Sequence, residues 1–208
     1  MSRWTIAIAA ALSLLALGSP LIGACANPLA NNSFNSGVDK YEQGDYQGAI
    51  DDYDKAIEIN PQHADAYNNR GIANRNLRDF QGAIADYTKA LEINPQHADA
   101  YYNLGIAKDD LEDYTSAISD YTKAIELDPQ NVNAYNNRGD TKNNLEDYQG
   151  AIADLNKAIE IDPQYGNAYG NRGIARELVN DLAGACSDWR KAADFGLKEP
   201  AEWVKNQC

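Results

Sequence analysis

The chain of 208 residues is poor in nearly everything that chemistry at a protein site needs. It has three cysteines and two histidines, too few for a multi-cysteine zinc site, and none stands at ligand spacing. Bases are scarce: 18 Lys and Arg face 31 Asp and Glu, for a formal net charge of −13. Phosphate binding is driven by clustered Lys and Arg, so a nucleic-acid partner is excluded, and an anionic membrane surface is matched no better. No glycine-rich phosphate loop, nucleophile elbow or HExxH run occurs. The Asp51-Asp52-x-Asp54 group lacks the glycine and distal glutamate of a calcium loop. Carboxylates are plentiful, but the sequence sets none apart in the apolar surroundings that raise a pKa. His63 and His97 read as polar turn residues. The expectation is no enzyme, no metal and no cofactor. At 44% hydrophobic and 24% charged the chain is nonetheless able to bury a core.

Long apolar runs are confined to the N-terminus. One base, Arg3, precedes the stretch from Ile6 to Leu17, and Gly18-Ser19-Pro20 breaks it, the pattern of an export signal over residues 1–26. Two cleavage routes stay open. Ala24-Cys25-Ala26 fits the small-x-small rule and leaves Asn27 first, with 27–29 a short linker. Ile22-Gly23-Ala24-Cys25 resembles the lipobox of bacterial lipoproteins, which makes 1–24 the signal and Cys25 the lipidated mature N-terminus. Either route implies an exported, periplasmic or extracytoplasmic protein that meets a membrane only through an N-terminal lipid.

Repetition dominates the rest. Pro61, Pro95, Pro129 and Pro163 are 34 residues apart, as are Gly37, Gly71, Gly105, Gly139 and Gly173. Asp45, Asp79, Asp113, Asp147 and Asp181 form another such series. A fixed period of this length signals stacked supersecondary units. Counting Ala64 to His97 as registers 1 to 34, the first half places Ala66, Tyr67, Ile72, Ala73 and Leu77 on one side at helical spacing. Asp79 is an N-cap for the next helix, whose apolar side holds Ala83, Ile84, Tyr87, Ala90 and Leu91. Asn94-Pro95 then stops it, because proline disfavours helical geometry in the residue before it. Gly71 and Ala83 mark a close crossing where a larger side chain would overpack. Each unit is a helical hairpin.

Tyr67, Gly71, Ala83, Tyr87, Ala90 and Pro95 stand in the order and spacing of the tetratricopeptide repeat, and the chain resembles that family over about 170 residues. The resemblance implies an all-α fold: a right-handed superhelical solenoid of five hairpins (30–63, 64–97, 98–131, 132–165, 166–199) with a C-terminal capping helix at 199–208. First helices would line a concave groove. The same alignment puts Cys208 opposite Cys186, which leaves two states, a disulfide in an oxidising compartment or two separate thiols.

Asn35, Asn69, Asn103, Asn137 and Asn171 share register 6, which faces the groove in this family. An amide both donates and accepts, so the row resembles the asparagine ladders that hold extended peptides by their main chain. Asn68, Tyr102 and Asn136 at register 5 are further groove candidates, with Phe34, Ile72 and Ile106 as apolar contacts. Arg70, Arg138 and Arg172 at register 7 are expected to pair with the register-23 aspartates, within a repeat or with the preceding one. Lys40, Lys108, Lys142 and Arg176 at register 11 are expected to snorkel to the groove edge. The functional expectation is a non-catalytic scaffold that binds an extended peptide or partner protein in the groove. Two alternatives remain: a structural subunit of a cell-envelope assembly that uses its convex or end surfaces, and a carbohydrate-binding accessory module.

Overall fold

The computed structural model describes residues 27–208. The stretch read as an export signal, with Cys25, lies outside the described residues. Eleven helices and no strand occur among the described residues. They are α1 (Pro28–Glu42), α2 (Tyr46–Ile59), α3 (Ala64–Asn76), α4 (Phe80–Ile93), α5 (Ala98–Asp109), α6 (Tyr114–Leu127), α7 (Val132–Asn144), α8 (Tyr148–Ile161), α9 (Gly166–Leu178), α10 (Leu182–Asp194) and α11 (Lys198–Gln207). Odd-numbered helices are first helices of a repeat. The segment read as a linker at 27–29 is shorter than expected, because Asn27 caps α1 by accepting from the Leu29 N–H and Pro28 sits in the first turn. A proline there wastes no hydrogen bond and presets φ for the helix.

Local rules repeat with the period. The residue at register 15 has positive φ in every repeat: Gly44 (80°), Arg78 (65°), Glu112 (62°), Glu146 (63°) and Asn180 (64°). That left-handed step turns the chain after the first helix. The register-16 aspartate then caps the second helix, its carboxylate accepting from the N–H three residues on, 2.9–3.0 Å at Gly48, Gly82, Gly150 and Gly184. Ser116 stands where the other repeats have glycine, and its bond to Asp113 is stretched to 3.3 Å. At the far end Asn60, Asn94, Asp128 and Asp162 accept from the N–H two residues on, closing an Asx turn around the proline. The fifth repeat has no such proline and uses Gly196 at φ 92° instead.

Helix pairing follows from one contact made five times. A Cβ at Gly71 or Gly105 would lie 2.7 Å from the ring of Tyr87 or Tyr121 in the same repeat, and a Cβ at Gly139 would lie 2.8 Å from Leu155 Cγ. The absent side chain lets a large one occupy the crossing; Tyr53, Tyr87, Tyr121, Leu155 and Trp189 are at most 1% exposed. The first helices of successive repeats touch one another, whereas second helices of successive repeats make no comparable contact. One layer is therefore tighter than the other, so the stack curves with first helices inside. At the C-terminus α11 packs on α10, with Trp203 against Trp189 at 5.4 Å between ring centroids. Cys186 and Cys208 are joined by a disulfide with Cα atoms 5.7 Å apart.

Candidate binding face

The concave layer carries a network that includes the expected Arg–Asp pairs and extends beyond them. Each register-7 arginine forks onto the register-23 aspartate of its own repeat: Arg70 onto Asp86, Arg138 onto Asp154 at 2.6–2.9 Å, and Arg172 onto Asp188 at 2.6–2.8 Å. The remaining guanidinium nitrogen reaches back to register 25 of the preceding repeat, meeting Asp54, Thr122 and Asn156. Of the two pairing schemes the one within a repeat forms, and the guanidinium, with five N–H donors, has one left for register 25 of the preceding repeat in place of its register-23 aspartate.

The register-11 residues correct an expectation. Lys40, Lys108, Lys142 and Arg176 do not run to the groove edge; they bond to Asp52, Asp120, Asp154 and Asp188 at 2.6–2.9 Å. A nearly desolvated carboxylate attracts a long cation more strongly than water at a rim does. Asp52 is held well below the usual carboxylate range by hydrogen bonds from Lys40, then Lys55 and Ser36. Asp120 goes the other way. Burial pushes its carboxyl up, as it does that of Asp86, and Lys108 pairs with it where Leu104 replaces the arginine.

The asparagines are partly spent on each other. Asn103 Nδ2 donates to Asn68 Oδ1 (3.0 Å), Asn137 Nδ2 to the Tyr102 hydroxyl (3.1 Å) and Asn171 Nδ2 to Asn136 Oδ1 (3.2 Å). Each bond joins register 6 to register 5 of the preceding repeat. Asn68 and Asn136, both 6% exposed, also donate to Asn69 and Asn137 beside them. The two register-5 amides thus serve as inter-repeat ties, and Asn136 also lines a cavity. Tyr102 is half-buried, its ring 6.0 Å from that of Tyr121, and burial raises its phenol pKa. Among the described residues the Oδ1 atoms of Asn103 and Asn171 accept nothing, and Asn35 is exposed.

Ties are missing at both ends of the row. Phe34 has no polar atom to receive Asn69, and Gly170 has no side chain for Lys205 to meet. A cavity of about 420 Å³ opens beside Gly170, with Asn136, Asn167, Asn171, Leu197 and Trp203 among its walls. A second, of about 270 Å³, lies at the other end beside Asn69.

Charge on this layer is one-sided. The eight Lys and Arg on α1, α3, α5, α7 and α9 are Lys40, Arg70, Arg75, Lys108, Arg138, Lys142, Arg172 and Arg176, and all are ion-paired, Arg75 with Asp110 at 2.6 Å. The carboxylates on the same helices are not matched. Asp65 meets His97 at 3.1 Å and Asp109 accepts from Thr141 at 2.8 Å. Glu42, Asp99, Asp140 and Glu177 pair with no base among the described residues. Burial raises the pKa of Asp109 and of Asp140, and their mutual repulsion adds to the second. That apolar setting arises from folding and is not visible in the residue pattern. Among the described residues no group of three metal-ligating side chains occurs, and no helix is long and apolar enough to cross a membrane.

A tetratricopeptide repeat family model matches residues 64–97, 98–131 and 132–165, and a second TPR repeat model matches 37–77. No curated protein matches. Among solved structures, the chain is similar to MamA, at 27% identity over 76% of this chain and 93% of that one, with a TM-score of 0.71. It is also similar to YrrB, described as a TPR protein with an unusual peptide-binding site, at 24% identity over 85% and 92%, TM-score 0.71. The first TPR of Spaghetti (RPAP3), bound to the HSP90 peptide SRMEEVD, matches at 29% identity over 57% and 94%, TM-score 0.56.

Proposed function

This chain belongs to the tetratricopeptide repeat family, and from that premise we propose that it is a non-catalytic scaffold whose concave layer holds an extended, basic segment of a partner protein. The observation that carries this reading is the charge asymmetry just described: every base on the first helices is ion-paired, while Glu42, Asp140 and Glu177 are not. An acidic peptide such as the one held by the Spaghetti domain would meet carboxylates without a free base to clamp it. The free Oδ1 atoms of Asn103 and Asn171 supply acceptors, two repeats apart, for main-chain N–H groups. We place the protein outside the cytoplasm, a location that the Cys186–Cys208 bond supports because such bonds persist in oxidising compartments.

The test is fluorescence anisotropy with two labelled decapeptides, one alternating lysine and alanine, the other glutamate and alanine. The basic peptide binds, more weakly as salt rises, and loses affinity to the triple variant Asp109→Asn, Asp140→Asn, Glu177→Gln. Equal binding of both peptides, or an unchanged affinity for the triple variant, refutes the reading. The alternative, assembly through another surface, draws on a row of half-exposed leucines at register 14: Leu77 (46%), Leu111 (40%) and Leu145 (45%). Crosslinks that fall on that edge and spare the first helices would favour it.

A further inference from the structure

The smaller cavity has a composition unlike the rest of the groove. Its walls are Val38, Tyr41, Tyr53 and Ile72, with the Asn69 amide to one side and Glu42 at the mouth. Phe34 offers Asn69 no register-5 acceptor there. It packs on Tyr53 at 5.8 Å and stacks on His63 at 4.9 Å. The wall is held in place from outside: the Tyr41 hydroxyl accepts from Asn76 Nδ2 at 3.1 Å, and its ring packs on Tyr46 at 5.3 Å. Tyr53 is 1% exposed and rigidly wedged against Gly37.

The charges around the mouth point one way. Lys40 is committed to Asp52 and Arg75 to Asp110, each at 2.6 Å, so neither neutralises Glu42. Glu42 is exposed, at the last turn of α1. The partner that satisfies both parts of this site has an apolar stem and a cationic head. An aliphatic side chain would use the walls and ignore the carboxylate, and an acidic one would be repelled at the entrance.

We propose that this cavity is a side-chain anchor for a lysine or arginine of the bound segment, the stem lying on Val38, Ile72 and the Tyr41 ring and the cation meeting Glu42. Long basic side chains bury their methylenes while keeping the charge wet, and an aromatic face beside the cation adds attraction. The inference rests on the groove reading above and sharpens it, since it names the end of the groove where binding is anchored and the side chain that anchors it.

The experiment uses the full chain with ¹³C-labelled methyl groups and three small probes: N-acetyl-lysine methylamide, the norleucine analogue of the same stem length without the charge, and the alanine analogue. The lysine probe shifts the Val38 and Ile72 methyl resonances saturably, binds roughly threefold or more tighter than norleucine, and falls to the norleucine value in Glu42→Gln. The alanine probe shifts nothing. Norleucine binding as tightly as lysine, or no response of Val38 and Ile72 to either, overturns the proposal. The two readings fail separately. A basic decapeptide that binds without moving Val38 and Ile72 leaves the groove reading standing and removes the anchor. A lysine probe that saturates this site while the decapeptide fails to bind does the reverse.

Discussion

Replacing Cys208 with serine should loosen one end of the solenoid and leave the other untouched. The bond spans 22 residues, and closing a loop of that size stabilises by about 3 kcal/mol through the restricted unfolded chain. Besides the bond, α11 is held by packing on α10, where Pro200 is buried. It has ten residues, no side-chain cap at its start, and one aromatic contact, Trp203 on Trp189. An isolated helix of that length is marginal in water. Each repeat contacts only its neighbours, so the lost energy falls on the terminal unit and fades inward. Three kcal/mol is roughly a hundredfold in an opening equilibrium. Hydrogen exchange followed by mass spectrometry should show α11 opening about a hundredfold more readily in Cys208→Ser, α10 by less, and α1 to α6 as in the parent. A reductant should reproduce the pattern in the parent protein. Unchanged protection of α11 would mean that packing on α10 alone holds the cap. Uniform loss of protection over the whole chain would refute nearest-neighbour stability.

Gly105→Ala should destabilise by about 1 kcal/mol, because overpacking of roughly 1–3 kcal/mol outweighs a helix-propensity gain of up to about 1; a new Cβ would sit 2.7 Å from the Tyr121 ring. Gly170→Ala is its control, meeting nothing nearer than 3.7 Å, and its urea midpoint should stay level or rise. Arg138→Leu should cost about 2 kcal/mol, less than the 3–5 of an abandoned buried charge, since Lys142 remains 2.7 Å from Asp154. Adding Asp154→Leu and Lys142→Leu removes the whole charge cluster and should recover part of that loss; a triple variant less stable than the single would refute the pairing. Asp140→Asn should raise stability at pH 7 by about 1 kcal/mol, because the carboxylate is half-buried beside Asp109 with no cation on it. The sign follows from its raised pKa: the folded protein takes up the proton before the unfolded chain does, so the penalty is present at neutral pH and fades as pH falls through the raised value. Near pH 3, where both states are protonated, parent and variant should melt alike.

What could be read from residue order was whatever the backbone and the crossing dictate. Gly71 and Gly105 recur because Tyr87 and Tyr121 fill the space, and Asp79 recurs because four N–H groups at a helix start need an acceptor. Such constraints are local or strictly periodic, so a 34-residue interval displays them. The binding face was less legible because a register names a side of a helix and not the direction in which a long side chain bends. Lys40, Lys108, Lys142 and Arg176 sit at a groove edge by register, yet each folds back across the hairpin onto an aspartate twelve residues later. That twelve-residue spacing was present in every repeat, with Asn74 and Asp86 completing the series at 2.9 Å, and it was the signal that could have found them. Registers 5 and 6 posed the same difficulty. Taken singly, Asn68 and Asn103 are two groove amides; 35 residues apart they are one bond. At the ends of the row Phe34 and Gly170 cannot make that bond, and one cavity lies beside Gly170 and another beside Asn69. In a repeat protein the departures from the period, once the inter-repeat contact is known, mark the places left free for a partner.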